Sequence, residues 1–219
     1  LVVKGQALYQ LERYSEAIPV LQEAIAASPE PKDQWNQLLM AAYSEGGQTG
    51  EAIKAAEALA AKNPNDKKAQ INLASMYMQA DQMDKAAAVM DKLRASGQLS
   101  EEREYKQLYS IYANMENREK DVIAVTDEGL QKGVLKPDYQ VYLARAQAYY
   151  YSEPQKTAEA IAEWQKAAPL SPNGETYLNL ARVLHSEGRV AEAKEAARQA
   201  KAKGGLKNVA DADKIINLK

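Results

Sequence analysis

The sequence of 219 residues contains no cysteine and no phenylalanine, and it has a single histidine, His185. Without cysteine the fold can hold neither a disulfide nor a thiolate metal site, and one histidine cannot form a cluster of histidine ligands. No run approaches the ~18–20 consecutive apolar residues that a membrane-spanning helix needs. No alternation of apolar and polar residues is long enough to predict a sheet, so we expect an all-α protein.

The charges are balanced, with 28 lysine and arginine residues against 30 aspartate and glutamate residues interspersed along the chain. This balance leaves no basic patch to attract nucleic acid or an anionic membrane, so we expect neither nucleic-acid binding nor direct membrane insertion. No glycine-rich phosphate loop follows a strand, and His185 has no serine or aspartate partner at a spacing that predicts contact. The residues therefore predict a protein that is not an enzyme and holds no metal and no cofactor.

The most regular stretch is Tyr177–Ala200, in which two amphipathic helices meet at Gly188. The first helix has an apolar face at i, i+3, i+4 and i+7, formed by Tyr177, Leu180, Ala181 and Leu184. The second has a stripe of small residues that lets two helices approach closely, formed by Ala193, Ala197 and Ala200. Gly188 suits the reversal because glycine adopts positive φ without steric cost. One hairpin cannot bury its own apolar face, so it must stack on copies of itself.

Copies of this hairpin recur along the chain. The residue that opens the second helix has counterparts at steps of 33 to 39 residues, namely Ala17, Ala52, Ala86, Asp121, Ala160 and Ala193. About twelve residues after each comes a helix breaker, namely Pro29, Pro64, Gly97, Gly133, Pro172 and Gly205. Twelve residues before several of them lies a small residue, as at Gly5, Ala74 and Ala181. These three sets of equivalent positions, called columns below, indicate a helical repeat.

The pattern resembles the tetratricopeptide repeat, a helix-turn-helix unit of about 34 residues. The match is closest in Gly5–Leu8–Tyr14–Ala17–Leu21–Ala24–Pro29 and in Leu180–Ala181–Leu184–Gly188–Ala193–Ala197–Ala200. The resemblance implies an all-α, right-handed superhelical solenoid of about six hairpins plus a C-terminal capping helix, as a single domain over residues 1–219. The hairpins are expected at residues 1–30, 32–63, 66–97, 100–133, 138–171 and 174–203, and the capping helix at 208–218.

Some positions depart from the repeat. Leu39 and Tyr109 occupy the small-residue column, Asp121 replaces alanine, and two residues are inserted in the fifth hairpin. The fourth and fifth repeats are therefore degenerate. In the second hairpin, Asp33 is positioned to cap the first helix.

Tyrosines stand out in the fourth and fifth hairpins. Tyr105, Tyr109 and Tyr112 recur at i, i+4 and i+7, which indicates packing between repeats and not a cofactor site. The run Tyr149–Tyr151 cannot face one side of a helix throughout, so at least one of its rings should be exposed.

In a stack of such hairpins, the first helices line one concave surface. Amide side chains there can bond to the backbone of an extended peptide, and tyrosine gives contact area at low entropic cost. The family resemblance implies a non-catalytic scaffold that recognises a peptide segment or a partner protein in this groove. One subset of the family clamps C-terminal carboxylates with lysine and asparagine, but Val2 and Gln6 stand at those positions. The packing register predicts the groove residues Gln6, Tyr9, Asn36, Met40, Tyr43, Asn72, Ser75, Gln79, Lys106, Ser110, Asn114, Gln147, Tyr150, Tyr151, Asn179, Arg182 and His185.

A narrower resemblance lies in the C-terminal half, in the segments 128–135, 146–150, 174–181 and 203–208. These look like the repeat-containing accessory protein of bacterial TonB-type energy-transduction systems, and the run Gly-Gly-Leu-Lys-Asn is the most distinctive part. The resemblance implies a location in the bacterial periplasm or cell envelope and a role in outer-membrane uptake. The sequence starts without methionine inside a first helix and ends soon after a last one begins, so we expect trimmed ends.

Two alternatives remain open. The chain could self-associate as a homo-oligomer through apolar terminal faces, at Leu1–Val3 or at Ile215–Leu218. It could instead be a helical-repeat RNA binder, because one class of RNA readers has a repeat of similar length. The location of exposed apolar surface separates self-association from partner binding, and a salt titration with single-stranded RNA tests the second alternative.

Overall fold

The computed structural model describes residues 1–218, in which thirteen α-helices and no strand occur. The first twelve helices form six consecutive hairpins, and the thirteenth follows alone. This confirms the predicted all-α fold of six hairpins and a terminal helix. The helices are α1 Val2–Gln10, α2 Tyr14–Ala26, α3 Asp33–Glu45, α4 Thr49–Lys62, α5 Lys67–Gln79, α6 Met83–Ala95, α7 Glu102–Ala113, α8 Glu119–Gln131, α9 Tyr139–Tyr151, α10 Thr157–Leu170, α11 Glu175–Ser186, α12 Val190–Lys203 and α13 Val209–Ile216.

The helices group into two compact units, residues 1–99 with α1 to α6 and the residues from Ser100 onward with α7 to α13. Within each unit, every helix packs against the next one along the chain, as expected of stacked hairpins. The single domain over residues 1–219 stays a prediction, and Lys219 at its end lies outside the described residues.

Small residues form the closest contacts between paired helices. The alanines of the repeated column are 0 to 1% exposed, at Ala17, Ala52, Ala86, Ala160 and Ala193. Gly5 permits an equally close approach, because a Cβ atom there would lie 2.5 Å from Leu21 Cδ2. The tyrosine stripe on α7 is also buried, which confirms that Tyr105, Tyr109 and Tyr112 pack in the core.

One predicted helix cap is wrong. Lys32 is the N-cap residue of α3, with φ −68° and ψ 141°, so Asp33 is already the first helical residue. Its carboxylate lies in the first turn, where negative charge favours the positive end of the helix. Side-chain caps occur instead at Asp66 on α5, Asp138 on α9 and Asn208 on α13, each accepting a hydrogen bond from a backbone N–H.

Hairpin turns pass through a residue with positive φ in five of the six cases. Gly188 adopts φ +73°, as predicted, and Gly47 adopts φ +76°. The other three turns use residues with a Cβ atom, Glu12 at φ +58°, Asp81 at +57° and Asn117 at +60°. The left-handed conformation costs such residues roughly 1–2 kcal/mol, and asparagine and aspartate adopt it most readily. Asn117 can therefore reverse the chain between α7 and α8 without a glycine.

The terminal helix α13 packs against α11 and α12. Ala212 and Ile215 are 0% and 7% exposed, and Ile216 and Leu218 are partly buried against the same cluster. The outer side of the sixth hairpin is thereby covered, as a terminal cap requires. This contradicts the alternative of an unburied apolar face at Ile215–Leu218, whereas Leu1 and Val3 are 56% and 81% exposed.

Candidate functional site

The predicted groove residues differ in their access to solvent. In the first unit, the exposed ones are Gln6, Asn72 and Gln79, and the half-buried ones are Tyr9, Asn36 and Ser75. In the second unit, the exposed ones are Asn114, Gln147, Tyr151, Asn179, Arg182 and His185, and the half-buried ones are Lys106, Ser110 and Tyr150. These residues could reach a partner, and their role in binding stays a prediction.

Met40 and Tyr43 do not belong to an exposed groove, because they are only 3% and 7% exposed. The Tyr43 ring packs in the core of the first unit, and its hydroxyl accepts a hydrogen bond of 2.6 Å from Gln22 Nε2. Both residues neighbour Leu39 and Ala42 on α3, so the packed face of this helix is wider than the repeat pattern predicts. Their assignment to the groove is therefore wrong.

Two charged members of the predicted set are already engaged within the fold. Lys106 Nζ lies 2.7 Å from Asp138 Oδ2, which links α7 to the N-cap of α9. Arg182 Nη2 lies 2.9 Å from Asp211 Oδ2, and its Nη1 donates a hydrogen bond of 2.9 Å to Asn179 Oδ1. The contact between Arg182 and Asp211 links α11 to α13. Both cations therefore help to hold two helices together.

Asn114, Gln147 and Tyr151 line a single cleft of about 610 Å³ in the second unit. The cleft is bounded by the end of α7, the turn to α8, the first turns of α8 and one face of α9. Its volume falls in the range of roughly 300–1,000 Å³ that is typical of ligand sites. The remaining lining residues are Tyr112, Ala113, Met115, Glu116, Asn117, Glu119, Val122, Ala144 and Ala148.

One helix face supplies the α9 wall of the cleft. Ala144, Gln147, Ala148 and Tyr151 follow each other at i, i+3, i+4 and i+7, so they lie along one side of α9. The two alanines are short and leave space between the longer side chains. Gln147 and Tyr151 therefore share a helix face, whereas Tyr150 does not line this cleft.

A chain of three aromatic rings supports Tyr151. The Tyr151 ring meets Tyr150 edge-on at a centroid distance of 5.2 Å, and Tyr150 lies 5.3 Å from Trp164. Trp164 is 5% exposed, whereas Tyr151 is 67% exposed. The expectation that one tyrosine of the run would face solvent is confirmed. Since its neighbour is fixed on a buried ring, Tyr151 is an exposed side chain with restricted freedom.

The cleft carries negative charge from Glu116 and Glu119, and no lysine or arginine lines it. Arg118 lies between them in sequence, but its guanidinium stacks 4.3 Å above the Tyr112 ring and pairs with Asp121. The Arg118 guanidinium thus lies against the ring of Tyr112, one wall of the cleft, without lining the cleft itself.

α9 also carries a buried cation that the sequence reasoning missed. Arg145 Nη1 donates hydrogen bonds of 2.6 Å to Asp127 Oδ1 and 2.9 Å to Thr126 Oγ1, and its Nε lies 3.4 Å from Glu163 Oε2. Burial would lower the pKa of the guanidinium, but Asp127 and Glu163 outweigh it and raise the pKa. Arg145 therefore stays charged and joins α8, α9 and α10.

The turn residues of the cleft were also missed. Met115, Glu116 and Asn117 connect α7 to α8, and the groove prediction considered only the first helix of each hairpin. The signal that could have found them is the degenerate column, because Asp121 stands on α8 where other hairpins have alanine. A polar residue at a packing position indicates that the contact there is open to solvent.

Residues 1–218 contain no group of three or more histidine, cysteine, aspartate and glutamate side chains arranged to hold a metal ion. In the same part of the chain, none of the helices combines the length and the apolar character that crossing a membrane requires.

The fold and the small-residue columns define a helical-repeat protein made of stacked hairpins. Three family models, each describing the tetratricopeptide repeat, match residues 2–47, 43–110 and 174–202. The chain therefore contains tetratricopeptide repeats. The interval 111–173, which holds all the lining residues of the cleft, lies between these matches, in agreement with the degenerate columns of the fourth and fifth hairpins.

Solved structures with the same fold cover most of the chain. YrrB, described as a tetratricopeptide-repeat protein with an unusual peptide-binding site, aligns with a TM-score of 0.68 at 12% identity over 90% of this chain and 98% of its own. The C-terminal part of a repeat protein from Cytophaga hutchinsonii aligns with a TM-score of 0.66 at 20% identity, over 92% and 78%. MamA aligns with a TM-score of 0.60 at 19% identity, over 74% and 91%. At such identities the likeness shows the fold alone.

A search of curated protein sequences gave no significant match. The resemblance to a TonB-type accessory protein finds no support in the family models or in the structures named above, and it stays a prediction. Its most distinctive run has a structural explanation here. Gly204 and Gly205 adopt φ of +76° and +69°, Gly204 O accepts a hydrogen bond of 2.7 Å from Gly174 N, and Asn208 caps α13.

Proposed function

We propose that this chain is a non-catalytic interaction scaffold whose second unit binds an extended peptide segment of a partner protein in the cleft. The observation that carries the proposal is Tyr151, a 67% exposed ring beside the exposed amides Asn114 and Gln147. This ring contacts the half-buried Tyr150, which packs on the buried Trp164.

The side chains of the cleft suit a peptide backbone. Each amide offers a donor group and an acceptor oxygen, which match the N–H and C=O groups of an extended chain. Tyrosine contributes a large contact area while it loses few rotamers, and here part of that loss has already occurred in the free protein. The short side chains of Ala144 and Ala148 allow a backbone to approach α9 closely.

The fold neighbours agree with this role in a general way. YrrB is itself described as having a peptide-binding site, and it shares the fold of this chain. Tetratricopeptide repeats as stacked hairpins offer concave surfaces of the kind that proteins use to bind one another. The proposal for this chain nevertheless depends on the geometry of its own cleft.

An immobilised array of octapeptides tests the proposal. The array is probed with the intact chain carrying a fluorescent label. We expect a subset of peptides to bind, and Tyr151→Ala to weaken their binding roughly 5- to 30-fold, as truncation of an aromatic anchor typically does. Leu170→Ala is the matched control, because Leu170 is a 54% exposed apolar residue near a helix end in the same unit. This control should bind as the unchanged protein does.

Circular dichroism and the melting temperature of each variant show whether the fold is kept. Binding that survives Tyr151→Ala at full strength, or that falls equally in Leu170→Ala, would place the binding surface elsewhere. An array without any bound peptide would contradict the proposal as a whole.

The cellular setting is a separate proposal. A location in the bacterial periplasm or cell envelope, within a TonB-type transport system, is supported only by the sequence resemblance of the C-terminal half. A partner recovered through the cleft would test this setting by its own location. Self-association through the exposed Leu1–Val3 segment and RNA binding stay the alternatives to a peptide scaffold.

A further inference from the structure

We infer that the cleft selects peptides that present a lysine or arginine side chain, an inference that rests on the proposed function. The first observation is the charge of the lining. Glu116 and Glu119 are the charged residues that line the cleft, and the other lining residues are uncharged. Neither carboxylate has an ion-pair partner among residues 1–218, so both can receive a cation from a ligand.

Three cations lie near the cleft, but none of them lines it. The Arg118 guanidinium is stacked on the Tyr112 ring and paired with Asp121. Lys120 and Lys156 line a second cleft of about 290 Å³, between α8 and the α9–α10 turn, and Glu119 lines this cleft as well. The Lys156 ammonium lies 5.9 Å from the Tyr149 ring there. Among its lining residues, the larger cleft thus carries negative charge alone.

Tyr151 provides a second feature that favours a cation. Its ring is 67% exposed and supported from one side by Tyr150, so its free surface can receive an ammonium or guanidinium group. The fold already uses this contact next to the cleft, since Arg118 stacks on Tyr112 in the same manner. A basic side chain in the cleft would therefore meet two carboxylates and an aromatic ring.

These contacts are solvent-exposed, so the expected preference is moderate. An exposed ion pair typically changes an equilibrium by 1.4- to 5-fold, and two such pairs together give roughly tenfold. Because such pairs are screened by salt, the preference should shrink as ionic strength rises. An acidic side chain would be repelled by both glutamates and should bind least.

Four octapeptide pools with one fixed central residue and mixed flanks provide the probe. The fixed residue is arginine, lysine, citrulline (a neutral analogue of arginine) or glutamate. Apparent affinities for the intact protein are measured by biolayer interferometry at low salt. We expect the arginine and lysine pools to bind about tenfold more tightly than the citrulline pool, and the glutamate pool to bind most weakly.

The variant Glu116→Gln/Glu119→Gln should lose this tenfold preference while it still binds the citrulline pool. Its matched control is Glu45→Gln/Glu187→Gln, which removes the same charge from two exposed glutamates at the ends of α3 and α11. The control should keep the preference in full. Melting temperatures verify that all variants are folded.

The outcomes separate this inference from the proposed function. If Tyr151→Ala weakens all pools but arginine and citrulline bind equally, the cleft binds peptides and the selectivity for basic residues is wrong. If the preference for basic pools disappears equally in both glutamine variants, general charge and not the cleft is responsible, and the inference is again wrong. If Tyr151→Ala changes no pool, or no pool binds, the proposed function itself fails.

Discussion

The fourth and sixth hairpins follow the same repeat, and the fourth borders the cleft of about 610 Å³. In the sixth, Ala181 and Ala193 fill the two packing columns and are completely buried. In the fourth, the same columns hold Tyr109 and Asp121, and Asp121 is half-buried and paired with Arg118. Alanine lets two helices close together, whereas a carboxylate needs solvent or a partner. The comparison teaches that the candidate cleft lies beside the hairpin whose packing positions depart from the repeat.

The hairpins of the second unit also differ in what stabilises them. The sixth uses alanine contacts and exposed ion pairs such as Arg189 with Glu192, whose side chains are 40% and 51% exposed. The fifth contains Arg145 and Glu163, whose side chains are 10% and 8% exposed. Exposed pairs contribute little to stability, but a buried pair costs several kcal/mol when one partner is removed.

An exchange of residues between the two hairpins tests the comparison most severely. Ala193→Asp places a carboxylate in a fully buried column without a cation, and we expect it to lower the free energy of unfolding by about 3–5 kcal/mol. Asp121→Ala restores the regular residue in the fourth hairpin and should change stability by less than about 1 kcal/mol, because it removes only a partly exposed pair. Urea unfolding measures both, and equal effects would show that the two columns are equivalent after all.

Arg145→Ala should have the next largest effect. It leaves Glu163 buried with Lys166 as its remaining cation, at 3.2 Å, so we expect a loss of about 3 kcal/mol in urea unfolding. Arg189→Ala removes the exposed counterpart in the sixth hairpin and should cost less than about 1 kcal/mol. A loss at position 145 no greater than at 189 would mean that the buried network does not stabilise the fifth hairpin.

The smallest predicted effect concerns how the stability of the fold depends on pH. Burial acts to raise the pKa of Asp138, but the hydrogen bonds from Lys106 and from the Val141 backbone outweigh it, so its pKa is lowered. A lowered pKa stabilises the fold above the unfolded pKa of about 3.9, and this contribution disappears as pH falls through the folded value. We expect Asp138→Asn to lower the free energy of unfolding by about 1 kcal/mol or less at pH 7, and the difference from the unchanged protein to shrink as the pH falls below that unfolded pKa.

Asp211→Asn on the terminal helix α13 is the comparison. The pKa of Asp211 is lowered mainly by its hydrogen bond from Arg182. Because asparagine caps a helix about as well as aspartate, each variant removes a charge alone, and effects of similar size are expected at pH 7. If thermal unfolding from pH 3 to 7 shows no difference between the Asp138 variant and the unchanged protein, the Lys106 contact adds nothing to stability.

Much of the fold could be predicted because it depends on local periodicity. The alanine column, Gly188 and the helix breakers each act within one hairpin, and all of them have the predicted effect in the structure. Asp33 shows the limit of such reasoning, since a shift of one residue at a helix start decides whether a side chain can cap.

The candidate site could be predicted only in part. Gln147 and Tyr151 follow from the face of α9, but Glu116 enters the cleft through a turn whose path depends on the left-handed conformation of Asn117. Met40 was misplaced because the width of a packed helix face depends on its neighbours and not on its own sequence. The buried contact of Arg145 with Glu163 joins two helices, which no spacing along the chain reveals.

Amide hydrogen exchange of the intact chain, with and without a saturating concentration of the arginine-fixed peptide pool, tests most directly whether the irregular hairpins form the binding site. Bound peptide should slow exchange in residues 113–122 and 144–151, which border the cleft, and leave residues 181–193 of the regular hairpin unchanged. Slower exchange confined to 181–193, or no change in either segment, would contradict the assignment of peptide binding to the cleft.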